Sequence, residues 1–263
     1  MMLELLFGLY GLFCIALYLF ISKNPVHVSR FSRVGWKRKV LLVTAHPDDE
    51  CMFFSPTILH LTSAGHKVFL LCLSTGDFYG QGETRRVELI RSCEVLGIPE
   101  EHVFIVDDKA LPDDPKVNWD PERICFYAYD YVTKLDINTI ITFDESGVSG
   151  HMNHKATHRA FWRCLFQDNL PQGVEFYCLK TTNILRKYIS VLDLPISLLT
   201  SGFKFVFISD WENVIRGQKA MQAHWSQLTW FRMLYIIFSG YMVINTLKPL
   251  SLERPRHHPP NKS

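Results

Sequence analysis

A single α/β domain with a Rossmann-like, mostly parallel sheet and helices on both faces is predicted for residues 38–250, preceded by one N-terminal transmembrane helix. Three observations carry this. Strand and helix patterns alternate from residue 38 onward, the strand patterns are continuous apolar runs suited to buried parallel strands, and 18 of the residues Met1–Ile21 are apolar. The 263 residues are 48% hydrophobic and 21% charged, which excludes a disordered or collagen-like chain. A net charge of +2 excludes a generally basic nucleic-acid binder, yet it hides a partition. Residues 22–40 hold six Lys or Arg (Lys23, Arg30, Arg33, Lys37, Arg38, Lys39) and no acid, whereas residues 41–247 hold 18 bases and 24 acids.

The elements follow in order. Residues 1–21 are interrupted only by Glu4, Gly8 and Gly11, and a helix of that length rises roughly 30 Å, enough to cross a bilayer. Its leading flank lacks Lys and Arg, and Leu19-Phe20-Ile21-Ser22 is a poor cleavage site, so an uncleaved anchor is expected rather than a signal peptide. Residues 22–37 read as a basic linker whose cations orient the anchor, with the following domain on the cytoplasmic side. Strands are predicted at Lys39–Ala45, Val68–Leu73, Val103–Val106, Ile137–Phe143 and Val174–Leu179. Between them come helices over Cys51–Ser63, Glu83–Leu96 (stopped by Gly97-Ile98-Pro99), Asp120–Leu135 (opened by Asp-Pro-Glu) and His151–Phe166. Residues 225–247 hold Trp225, Trp230, Phe231, Tyr235, Phe238 and Tyr241 around Arg232, which fits an interfacial segment, a core helix or a second span. Residues 251–263 read as a disordered tail. Seven scattered cysteines without a CxxC pair suggest buried, reduced thiols.

Two motifs sit where strands end, and in open α/β sheets ligands bind at the carboxyl ends of strands. His46-Pro47-Asp48-Asp49-Glu50 follows the first strand, and Ser149-Gly150-His151-Met152-Asn153-His154 follows the fourth. His46, Asp49 and one of the two later histidines supply two nitrogens and one oxygen, a set suited to a catalytic divalent cation with a position open for water. Asp48 and the other histidine then remain for proton transfer and oxyanion stabilisation, the parts needed to hydrolyse an amide. Alone, an HxxH pair is often a chance surface feature, and an Asp-Asp-Glu run often only favours a helix start.

These motifs, with QGETRR (81–86), TFDESGVSGHMNH (142–154), NILRKYISVLDL (183–194) and WFRMLYIIFSGY (230–241), resemble the phosphatidylinositol-glycan class L, LmbE-like, family of metal-dependent de-N-acetylases, over about Val40 to Leu247. The resemblance implies that His46, Asp49 and His154 hold the metal, that Asp48 is the general base, that His151 stabilises the oxyanion and can protonate the amine, and that Arg85 holds substrate. Its bland alternative for Arg85 is a surface ion pair with Glu88. It implies a divalent cation, zinc foremost, although the same ligands accept manganese, cobalt or nickel. The implied substrate is N-acetylglucosamine linked to phosphatidylinositol, deacetylated during glycosylphosphatidylinositol-anchor synthesis at the endoplasmic reticulum membrane by a single-pass enzyme facing the cytosol. The implied partners are that lipid and the bilayer, with no nucleic acid. Two positions depart from soluble bacterial members: Asn153 stands where Asp is usual, removing an acid that would hold His151 charged, and Ser149 stands where Tyr is frequent. Glu50 reads as a helix-start acid. The rival functions are a de-N-acetylase of another N-acetylglucosaminyl compound, which would work on lipid-free substrate without residues 1–37, and a non-catalytic membrane adaptor, which would bind no metal.

Overall fold

Residues 2–23, 37–166, 170–202 and 205–250 are described by the computed structural model. In chain order they form α1 (Met2–Lys23), β1 (Lys39–Thr44), α2 (Asp49–Ser63), β2 (Lys67–Cys72), α3 (Gly82–Leu96), β3 (Val103–Ile105), α4 (Pro121–Leu135), β4 (Thr139–Phe143), the short turn α5 (Gly147–Gly150), α6 (Met152–Phe166), β5 (Glu175–Leu179), α7 (Ile184–Lys187), α8 (Leu194–Ser201), β6 (Val206–Ile208), α9 (Trp211–Ala223), α10 (Trp230–Phe238) and β7 (Ile244–Pro249). The predicted tail, and most of the predicted basic linker, lie outside the described residues.

The sheet runs β3-β2-β1-β4-β5-β7-β6. The first five strands are mutually parallel, with Leu42 beside both Leu70 and Ile141, and β7 runs antiparallel between β5 and β6. Parallel strands covered on both faces need apolar residues on both sides, and Val40, Leu41, Leu42 and Val43 are all buried. Each such side chain contributes roughly 1.5–3 kcal/mol by leaving water. Helices α2, α3 and α9 pack together on one side, and α4 with α6 on the other. Local signals set the helix ends as expected. The Asp120 carboxylate accepts the Glu122 N–H ahead of Pro121, and Gly97 closes α3 at φ 87°. The chain order turns back between β1 and β4, which is where such sheets open a ligand crevice.

Two expectations need correction. Residues 225–247 are not one continuous segment: three-residue helical turns at Trp225–Gln227 and Gly240–Met242 flank α10, and β7 follows, so a second span is excluded. Asn245 is wholly buried in β7, where its amide binds Thr57 and the Phe53 carbonyl. Cys125 and Cys164 are not free thiols; α4 and α6 place their Cα atoms 6.1 Å apart and the sulfurs are bonded, while the other five cysteines are buried and free. Arg38, the first residue of the predicted domain, sends its guanidinium into the body, where it binds Thr139 Oγ1 at 2.9 Å and the Glu175 carboxylate.

α1 is long and apolar enough to cross a membrane, with little of it buried against the body. Its second half nevertheless joins Leu194, Leu198, Val206 and Ile244 through Leu17, Tyr18 and Ile21.

Candidate active site

At the end of β1 the chain reverses sharply into α2. Asp49 Oδ2 ties the turn by accepting the Ala45 and His46 N–H groups at 2.9 and 2.8 Å. Asp48 lies at φ 111°, a conformation that non-glycine residues rarely adopt and that needs outside support. Glu50 provides it: one carboxylate oxygen accepts the Asp48 N–H at 3.0 Å, and the other binds His224 Nε2 at 2.8 Å and Ser92 Oγ. Glu50 and His224 are both wholly buried. Burial raises the Glu50 carboxyl, but the facing His224 imidazole outweighs it and lowers the group overall. Glu50 is therefore more than a helix-start acid.

After β4 the loop is tied by Asp144, whose Oδ1 accepts the Ser146 and Gly147 N–H groups, both at 3.1 Å. Gly147 has φ 61°, and a Cβ there would meet the His154 Cβ at 2.9 Å, so the close approach requires glycine. Its carbonyl accepts from His154 Nδ1 at 3.1 Å, which places that proton on Nδ1 and leaves the Nε2 lone pair facing inward. The His154 ring stacks on Phe143, centroids 4.0 Å apart.

The two motifs converge. His154 Nε2 is 3.1 Å from Asp49 Oδ1, and His46 Nδ1 is 3.7 Å from Asp49 Oδ2. One ring nitrogen from each of His46, His151 and His154 lies within 4.8 Å of the others. Two ligands on one tetrahedral zinc stand roughly 3.4 Å apart, so these separations suit a shared cation. His154 Nε2 is buried without a well-formed hydrogen bond, as expected of a nitrogen whose lone pair awaits a metal. The residues present fit a divalent cation.

Burial and the neighbouring charges move these groups in different directions. Burial lowers the His46 imidazole despite Asp49 and Asp113 nearby. Burial raises the Asp49 carboxyl, but His154 and His46 outweigh it and hold the group well below the usual carboxylate range. Burial lowers His154, and Asp49 more than reverses that. His151 is pushed down to about 4, by burial first and then by His46 and His154. Its Nδ1 accepts the Asn153 N–H at 3.3 Å, so neutral His151 carries its proton on Nε2. Neutral His151 can therefore offer Nε2–H to the cavity as a hydrogen-bond donor.

His46, Asp48, Asp49, Arg85, His151 and His154 all line one cavity of about 360 Å³. Arg85 is buried and clasps the site from behind: it binds the Gly76 and Pro47 carbonyls at 2.7 and 2.8 Å and Asp113 at 2.9 Å. It makes no surface pair with Glu88, whose carboxylate instead holds Ser226 at 2.7 Å. Asn153 turns toward His46, 3.2 Å from Nε2, and not toward His151. Two participants escaped sequence reading. Arg232 reaches from α10 to pair with Asp48, and Asp113 holds His46 Nε2 at 3.1 Å, which orients Nδ1 toward Asp49. An acidic loop after β3 was a usable signal for Asp113; Arg232, 184 residues from Asp48, offered none.

Residues 41–165 match the family model for PIG-L, GlcNAc-PI de-N-acetylase. A Bos taurus N-acetylglucosaminyl-phosphatidylinositol de-N-acetylase is 48% identical over 213 residues, 81% of this chain and 84% of that one. A probable enzyme of the same name from Dictyostelium discoideum is 34% identical, over 86% of this chain and 98% of that one. Among solved structures, N,N'-diacetylchitobiose deacetylase from Pyrococcus horikoshii has the same fold at TM-score 0.59 and 16% identity, covering 89% of this chain and 92% of that one. Identity of this extent to relatives covered over most of their length, on a shared fold, means that the chain belongs to the PIG-L family of GlcNAc-PI de-N-acetylases.

Proposed function

We propose that the chain hydrolyses the acetamide of N-acetylglucosaminyl-phosphatidylinositol, giving acetate and glucosaminyl-phosphatidylinositol, a step in glycosylphosphatidylinositol-anchor synthesis. The observation that carries this is the convergence of His46, Asp48, Asp49, His151 and His154 on one cavity at the β1–β4 reversal, in a chain whose relatives bear that activity in their names. An adaptor has no need of such an intact constellation.

His46, Asp49 and His154 would hold the cation, and their two-nitrogen, one-oxygen set favours zinc. Such a cation, when bound, polarises the amide carbonyl and makes water acidic. Asp48 takes the proton of the attacking water and delivers it to the departing amine. His151 donates Nε2–H to the oxyanion as a neutral imidazole. Arg232 and Arg85 fix the Asp48 carboxylate and the turn that carries it. Purified full-length protein should release acetate from the lipid-linked substrate in proportion to bound metal, lose that release on chelation and regain it with zinc. Metal-loaded protein without acetate release would overturn the proposal.

We infer that α1 anchors the enzyme in the endoplasmic reticulum membrane, and the cations that follow it in sequence favour a cytosolic catalytic body. The Cys125–Cys164 bond favours the opposite orientation, because disulfides persist mainly in oxidising compartments. Protease added to intact microsomes should digest the body; complete protection until detergent is added would establish a lumenal site.

A further inference from the structure

α1 does not stand clear of the body. Tyr10 Oη donates to the Leu192 carbonyl at 2.9 Å, and Tyr18 Oη donates to the Ser209 carbonyl at 2.9 Å. Tyr10 lies 13 residues before the end of α1 at Lys23, about 20 Å along a helix axis. The hydrocarbon core of a bilayer is about 30 Å thick. If α1 crosses it, the carbonyl of Leu192 lies deep within the apolar layer.

The segment at that depth is built for such surroundings. Ser190–Asp193 forms one helical turn and continues directly into α8, so its backbone groups are largely bonded internally. Its outer side presents Leu192, Ile196 and Leu199, the last 74% exposed. Its one charged residue, Asp193, is turned inward and neutralised: Arg186 binds both carboxylate oxygens, and Ser197 Oγ donates to one of them at 2.6 Å. Just before it, α7 projects Ile184 and Leu185, 73% and 78% exposed. Tyr188 then meets Tyr235 of α10, ring centroids 6.4 Å apart. α10 carries Arg232 into the catalytic cavity and presents Trp230 and Phe231 outward. Exposed apolar side chains thus lead from the anchor toward the mouth of the site, where the Lys187 ammonium lies over the Phe53, Tyr188 and Tyr235 rings.

We infer that residues 184–199 are a second membrane-embedded element, a wedge that enters the bilayer alongside the second half of α1 without crossing it and packs against phospholipid acyl chains. The inference rests on the reading of α1 as a membrane span. It gives the site a lateral opening at headgroup depth, where a lipid-linked sugar can enter without leaving the membrane.

The test uses full-length protein in vesicles of phosphatidylcholine and phosphatidylinositol containing a phosphatidylcholine with a diazirine at mid-chain. After photolysis, mass spectrometry should find lipid adducts on residues 184–199 as well as on α1. Adducts confined to α1 would overturn the wedge, and adducts on neither would overturn both the span and the wedge. The pair Leu185→Asp and Leu199→Asp should lower adducts on the segment at least about fivefold, because a carboxylate in hydrocarbon is costly. Its turnover in detergent micelles should remain within about twofold of the unsubstituted enzyme, since neither residue lines the cavity. Unchanged adducts in that variant would also overturn the wedge. Photolabelling needs no turnover, so labelled protein that releases no acetate contradicts the deacetylase reading alone.

Discussion

Asp48→Asn should leave the metal content of the purified enzyme unchanged and lower acetate release by about 10³–10⁴-fold, at the strong end of general-base effects. The substitution isolates the proton-transfer role for three reasons. Asn tolerates left-handed backbone better than most residues, so the turn at φ 111° survives. The amide keeps the size of the carboxylate and an oxygen for Arg232, but it cannot accept the proton of water at neutral pH. The residues proposed as ligands, His46, Asp49 and His154, are untouched. Metal analysis and initial rates on one preparation check the result. A rate within tenfold of the unsubstituted enzyme would remove Asp48 as the base.

His154→Ala should have the complementary effect, with metal and activity lost together. Removing one of three protein ligands is expected to weaken metal affinity by more than about 100-fold, beyond the usual cost of disturbing a residue that merely orients a ligand. His154 is also packed against Phe143, so its truncation leaves a hole that costs about 2–3 kcal/mol of stability. His154→Gln fills more of that space and separates a metal defect from a folding defect. Thermal unfolding and metal stoichiometry of both variants check this; full metal content in both would remove His154 from the ligand set.

The inner sheet and both catalytic motifs were legible because their causes are local. β1, β2, β4 and β5 are short apolar runs, and the Asp120-Pro121 cap and the Gly97 stop act within one helical turn. The outer sheet was not. β6 has three residues, and β7 contains Asn245 and Pro249, so neither carries a strong strand pattern; β6 pairs with β7, and β7 is held between it and β5. The aromatic density of residues 225–247 hid their breaks, which follow from tertiary contacts such as that of Asn245 with α2. Within the site, adjacency in sequence revealed His46, Asp48 and Asp49. Asp113, His224 and Arg232 meet them only after folding, as do the sulfurs of Cys125 and Cys164.

The place of β7 in the sheet also governs the order in which the enzyme becomes competent during synthesis. The groups assigned to metal and proton transfer are complete once residue 154 has been made, yet β6 has no strand beside it until residues 244–249 follow. Those late residues and their neighbours grip the segment after Asp49: Tyr235 donates to the Met52 carbonyl at 2.7 Å, Asn245 to that of Phe53 at 2.9 Å, and Arg232 holds Asp48 itself. A nascent chain on the ribosome thus carries its apolar N-terminal helix first and the strand that completes its sheet nearly 200 residues after the first motif. A chain stalled before β7 should therefore present an open sheet edge and a less firmly held Asp48 turn.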